Sequence, residues 1–301
     1  MSIADVVIVG GGPAGLSAAI WLGRYRRDVI VLDAGAPRNE PAWAVHGYPG
    51  VPDPTPTELR RRLFQQAQGA GARLQAGVAM DASGSKGEFS VRLEDGGELH
   101  CRRLVLAYGL RDYVPEIPGL AELYGTSVFH CADCDGPAFA GARIGVLGHD
   151  RHGANLALYL RHWTPHVTLL AQGRADDLTG EARHALEEAG IGIAGPDVTG
   201  LVGHGGNLTQ VELGDGGVIR LDAIFFHLGS EPRCDLAEKL RCELDDDGYT
   251  VVDRGQETTC PGVYATGDIT GPPHLASIAA AEGVRAALTI HRSLLPDARH
   301  V

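Results

Sequence analysis

Two short apolar runs, Val6-Val7-Ile8-Val9 and Val29-Ile30-Val31-Leu32, flank a glycine-rich turn at Gly10-Gly11-Gly12-Pro13-Ala14-Gly15 and a helical stretch through Ala18, Ala19, Ile20 and Leu22. Unbroken apolar runs of this length predict strands buried on both faces, as in a parallel sheet. Arg24, Arg26 and Arg27 stand where cations favour a helix C-terminus. The same order returns later: Ile144-Gly145-Val146-Leu147, then Gly148-His149-Asp150-Arg151-His152-Gly153, a helix through Leu156, Leu158 and Leu160, and Val167-Thr168-Leu169-Leu170.

The repetition continues beyond these units. Ser90 to Gly97 reads as a strand entering an Asp-Gly turn and leads to the run Leu104-Val105-Leu106-Ala107-Tyr108-Gly109. Gln210 to Gly217 repeats that pattern and leads to Ile224-Phe225-Phe226-His227-Leu228-Gly229. The period is far too long for a solenoid, so the pattern predicts a domain duplication. Pro-containing stretches at Tyr113–Pro118 and Gly229–Pro232 read as linkers. The segment after the second linker has no counterpart in the second copy and is expected to return and complete the first domain. The predicted architecture is α/β: two Rossmann-like, three-layer dinucleotide-binding domains, the second inserted into the first. The boundaries are 1–114 with 231–301 for the first domain and 115–230 for the second.

The 301 residues suit two domains of ordinary size. A net charge of −12 argues against nucleic acid or an anionic membrane as the main partner. No basic segment followed by an apolar one opens the chain, and no apolar run approaches the ~20 residues of a membrane span, so a cytoplasmic setting is expected. The run Arg60-Arg61-Arg62 reads as a solvated helix face.

Gly10, Gly12 and Gly15 have the spacing GxGxxG between a strand and a helix. The first permits the tight turn, the second lets backbone approach a pyrophosphate, and the third allows close helix–strand packing. Asp33 closes the next strand, where a carboxylate can accept hydrogen bonds from a ribose. Cys131 and Cys134 are the only cysteines at CxxC spacing; Cys101, Cys234, Cys242 and Cys260 form no second such pair, so neither a four-cysteine zinc site nor any other metal site is expected. A pair at this spacing can pass two electrons as a dithiol–disulfide couple. Asp133 and Asp135 oppose thiolate formation, and Asp135 is better placed as an acid that protonates a leaving thiolate.

These motifs carry a resemblance. Gly10–Gly15, Ala107-Tyr108-Gly109 and Thr266-Gly267-Asp268 resemble the three FAD signatures of the two-dinucleotide-domain disulfide reductases. Cys-x-x-Cys-Asp-Gly at the start of the second domain resembles the low-molecular-weight thioredoxin reductases, over nearly the whole chain. His46-Gly47-Tyr48-Pro49-Gly50 is similar to that family's Tyr/Trp-Pro-Gly segment beside the flavin. The resemblance implies FAD as cofactor, Cys131 and Cys134 as the redox pair and Asp135 as the acid. It also implies a homodimer and a thioredoxin or small-molecule thiol–disulfide partner. The cofactor-lining residues it implies are Gly10, Gly12, Pro13, Ala14, Gly15, Asp33, Ala34, Arg38, Asn39, His46, Tyr48, Ala107, Tyr108, Gly109, Gly267, Asp268, His274, Leu275 and Ala276.

The second copy departs from the pattern where nucleotide contacts are made. Gly12 corresponds to Asp150, which adds a Cβ and a negative charge facing phosphates, and Asp33 corresponds to Ala171. NADPH-using members carry a His-Arg-Arg-like run for the 2′-phosphate; here it is Ala171-Gln172-Gly173-Arg174. The family's Arg-Gln before an alanine is replaced by His274-Leu275-Ala276. NADPH is therefore not expected as donor, and reduced ferredoxin is one candidate in its place. Three other readings stay open: a dithiol oxidase that closes small-molecule disulfides with oxygen as acceptor, an NADPH-dependent thioredoxin reductase with an atypical pocket, and a non-enzymatic flavin redox sensor.

Overall fold

A computed structural model describes residues 3–296 of the protein. The chain divides into two compact units, one made of Met1–Glu40, Gly47–Arg111 and Glu231–Val301, the other of Pro41–His46 and Asp112–Ser230.

In the first unit, parallel strands Arg73–Ala76, Val29–Asp33, Ala4–Val9 and Glu98–Leu106 lie side by side in that order. On its other edge the long strand Glu98–Leu106 serves two further neighbours. Its first half pairs antiparallel with Glu88–Leu93, which in turn pairs with Ala79–Ser85. Its second half pairs in parallel with Val263–Ala265, so the C-terminal segment adds a strand to the sheet that the N-terminus begins. Val6, Val7 and Ile8 are fully buried, as their continuous apolar run requires. Helix Pro13–Arg24 crosses helix Ala276–Ser293 so closely that a Cβ on Gly283 would lie 2.0 Å from the Ala14 carbonyl oxygen.

The second unit is built around five parallel strands in the order Gly192–Ala194, Val167–Leu170, Ile144–Leu147, Ala223–Phe226, Val128–Phe129. Successive residues serve opposite cores. Ile144, Val146, Leu169 and Phe225 pack into one, and Leu147, Leu170, Ile224 and Phe226 into the other. That is why these strands carry no polar alternation. An antiparallel sheet of Val198–His204, Asn207–Leu213 and Val218–Ile219 completes the unit.

The two Asp-Gly turns are alike. Asp95 accepts from the Gly97 amide and Asp215 from the Gly217 amide, both at 2.8 Å. Among the described residues no helix is long and apolar enough to cross a membrane.

Candidate active site

Gly10 joins the first strand to the glycine-rich turn with φ +119°, and a Cβ there would lie 2.1 Å from the Ala107 carbonyl oxygen. The first two cofactor signatures therefore touch through a glycine that no other residue can replace. A Cβ on Gly15 would meet the Gly10 carbonyl oxygen at 2.0 Å, whereas one on Gly12 would meet nothing within 4 Å. Gly12 is the N-cap of helix Pro13–Arg24, with no side chain bonded to the cap and Pro13 in the first turn. The first-turn amides thus face open space at the positive end of a helix, where an anion is favoured.

Two of the remaining expected residues of the first unit, Asp33 and Gly267, lie against this turn. Asp33 lies against Gly11, whose Cβ would come 2.6 Å from the carboxylate carbon. Ala34 is exposed and Asn39 half-buried. Arg38 forms an ion pair with Asp268 at 2.8 Å, both side chains being mostly buried. Gly267 packs on Ala14 and donates its amide to Glu282 at 2.8 Å. Tyr48 is hydrogen-bonded to Ser17, and burial raises its hydroxyl pKa. Tyr108 packs against the hydrophobic core, where burial raises its pKa strongly. His274 lies 5.7 Å from the Tyr249 ring, and Leu275 caps the helix that Ala276 begins.

Arg60 is an addition that the sequence reading missed. It is half-buried, paired with Asp33 and stacked 4.7 Å over Phe64, whereas Arg61 and Arg62 pair with Glu58 at the exposed surface. The periodicity of that helix could have separated Arg60 from its two neighbours. The open helix terminus, the Gly10–Ala107 contact and the Arg38–Asp268 pair together fit a bound dinucleotide such as FAD.

The equivalent turn in the second unit is built differently. Asp150 is the N-cap of helix Arg151–Leu160, and its carboxylate accepts from the Gly153 amide at 3.0 Å. Burial raises its pKa, but the Gly153 and His152 amides and the His152 and His149 rings outweigh that effect and leave it lowered. An ionised carboxylate therefore caps this helix terminus, where the first unit's helix has no side-chain cap. Ala171 is fully buried. Arg174 is paired with Asp177, Arg183 approaches Asp176, and Asp197 sits beside Gly173.

Cys131 and Cys134 are joined as a disulfide, with Cα atoms 5.3 Å apart. Cys131 caps the short helix Ala132–Asp135, its sulfur accepting from the Cys134 amide at 3.2 Å. Asp133 accepts from the Tyr159 hydroxyl. Asp135 is 5% exposed, and its Oδ1 has no hydrogen-bond partner among the described residues. Burial pushes its carboxyl up to about 6, with the neighbouring His46 opposing. His46, expected beside the cofactor, thus belongs to the second unit with Asp135, and its ring meets Trp43 edge-on at 4.8 Å. The other cysteines remain thiols: burial pushes Cys101 up to about 12 and Cys234 up to about 11. Among the described residues no group of three or more His, Cys, Asp or Glu side chains is placed to hold a metal ion.

Residues 4–283 match the family model described as pyridine nucleotide-disulphide oxidoreductase. The chain belongs to that family. One member of similar sequence is the F component of alkyl hydroperoxide reductase from Pseudomonas putida, 30% identical over 304 residues; the match covers 97% of this chain but 58% of that relative. The chain thus spans little more than half the length of several curated relatives. A thioredoxin reductase of Claviceps purpurea is 30% identical over 287 residues, covering 89% of this chain and 87% of the relative. The crystal structure of HlmI superposes with a TM-score of 0.92 at 34% identity, covering 97% of this chain and 92% of HlmI. All these likenesses run through both units, so this family member keeps the family's two-domain, thioredoxin-reductase-like fold.

Proposed function

We propose that the protein is an FAD-dependent, thioredoxin-reductase-like thiol–disulfide oxidoreductase. It passes two electrons between flavin and an external disulfide or dithiol through Cys131 and Cys134, without using NADPH. The observation that carries the NADPH part is the contrast between two equivalent helix termini. Gly12 leaves the first helix's amides uncapped, whereas the Asp150 carboxylate occupies those of the second. Ferredoxin is the proposed electron donor, thioredoxin or a small-molecule disulfide the partner, and a homodimer the working form.

Bound FAD would supply a two-electron carrier; Gly10, Gly12, Gly15, Arg38 and Asp268 would hold it. The chain's own residues do the sulfur chemistry. With the pair reduced, one thiolate attacks the external disulfide and expels a thiolate, which Asp135 protonates. The second cysteine attacks the mixed disulfide, closes the Cys131–Cys134 bond and releases the second thiol. A carboxyl with a pKa of about 6 retains a useful protonated fraction near neutrality.

Anaerobic addition of NADPH and then dithiothreitol tests the reading through the flavin's visible absorbance. NADPH is expected to leave it unchanged and dithiothreitol to bleach it. Rapid bleaching by NADPH would show that the second site is functional despite Asp150. Persistence of the colour with dithiothreitol would remove the disulfide–flavin relay.

A further inference from the structure

Helix Ala276–Ser293 carries a single acidic residue, Glu282, and it is half-buried. One of its oxygens, Oε2, accepts from the Gly267 amide at 2.8 Å. The Thr270 hydroxyl lies 3.2 Å from that oxygen and 2.9 Å from the Gly267 carbonyl oxygen, so its one proton is shared between them. Glu282 thus grips both ends of the short turn Asp268–Thr270 that Gly267 caps. The turn closes itself through the Thr270 amide and the Gly267 carbonyl oxygen at 2.9 Å, a bond that does not use the Gly267 amide.

Ala14, in the glycine-rich turn, meets both partners of this contact. A Cβ on Gly267 would lie 2.9 Å from the Ala14 Cβ, and one on Gly283, the residue after Glu282, would lie 2.0 Å from the Ala14 carbonyl oxygen. Asp268 sits inside the gripped turn, and its carboxylate pairs with Arg38 at 2.8 Å. We propose that Glu282 is a positioning residue for the flavin cofactor: its Oε2 fixes the Gly267–Thr270 turn against Ala14, with Asp268 paired to Arg38. It acts through that turn rather than on the cofactor. This rests on the reading that the first unit holds FAD.

The backbone makes such an acceptor necessary. Gly267 is buried with φ +79°, so its amide is out of reach of water and its conformation must be held from outside. Without Glu282 a buried donor loses its partner, a cost the turn would relieve by moving. Burial raises the Glu282 pKa, and the nearby Asp268 adds to that rise; the Gly267 amide, the Thr270 hydroxyl and Arg285 oppose it. A negative charge is thus disfavoured at this place, and what the turn requires is an acceptor at fixed reach. Gln carries a carbonyl oxygen at that reach, whereas Asp is one methylene short.

The test uses the full-length, flavin-loaded protein and follows flavin release after dilution through the fluorescence of the freed flavin. Glu282→Ala and Glu282→Asp are each expected to release it about tenfold faster than wild type, or to purify without it while keeping native circular dichroism. Glu282→Gln should stay within about twofold of wild type, because its oxygen can accept from both donors. Thr270→Val, which keeps the Gly267 bond, should fall between the two. If Glu282→Ala does not fold, Glu282→Asp and Glu282→Gln decide by the same criterion. Release from the Ala variant at the wild-type rate overturns the proposal, and so does release from the Gln variant as fast as from the Ala variant. A role in stability alone would lower the melting temperature of the Ala and Asp variants and leave the release rate unchanged, which also overturns it. Failure of the cofactor reading looks different: the wild-type chain itself takes up no flavin, and both readings fall together.

Discussion

Asp135 holds a carboxyl at 5% exposure with one oxygen unpartnered among the described residues, so its ionisation works against the fold. Its pKa is about 6 in the folded chain against ~3.9 unfolded, so the folded state binds the proton more tightly. The resulting stabilisation is present below about pH 4, declines as pH rises and is gone above about pH 6; the linkage amounts to at most about 3 kcal/mol. Asp135→Asn is therefore expected to raise the melting temperature relative to wild type near pH 8 but not near pH 4, with thiol turnover slowed at both. Calorimetry at the two pH values checks this, and equal shifts would remove the ionisation argument. Asp135 was legible because its place in the CxxC-Asp motif is explicit in the chain. The partner of Arg60 was not, because helix periodicity can set Arg60 apart from Arg61 and Arg62, but its pairing with Asp33 depends on how a later helix lies along the sheet.

At the level of elements, the two glycine-turn helices form an internal control. Asp150 contributes a side-chain cap, so Asp150→Ala should cost about 1 kcal/mol of stability, read as a lower denaturant midpoint. The reciprocal change, Gly12→Asp, places a carboxylate at the first helix terminus and should leave a folded protein that purifies without flavin. Colour retained by Gly12→Asp would mean that the first helix terminus does not hold the phosphates. The strands were readable from their apolar runs, since residues serving two cores leave no room for polar ones. The charge at Asp150 was equally readable, but its bond to the Gly153 amide was not, because capping requires the backbone turn. The crossing at Gly283 was also hidden, since an Ala-rich helix does not announce which small residue meets its neighbour.

For the whole molecule, the Cys131–Cys134 disulfide is the feature on which the proposed function turns. Cys131→Ser and Cys134→Ser should each abolish thiol-dependent turnover while leaving flavin content unchanged, as measured by steady-state assay and visible absorbance. Retained turnover in either variant would sink the proposed function. The duplication and the returning C-terminal segment followed from repeats in the chain. The placement of Pro41–His46 did not, because no composition change marks it.

That short stretch affects how such a protein can be inherited. Pro41–His46 groups with the second unit, where the Trp43 amide bonds to the Gly125 carbonyl oxygen and His46 lies near Asp135. The disulfide-bearing unit is therefore encoded in two separate parts of the gene. Recombination between relatives at the linkers alone would exchange one part and leave the other behind. The hybrids would carry a mismatched Pro41–His46 stretch against a foreign Gly125 turn, so this module is not transferable as a single cassette.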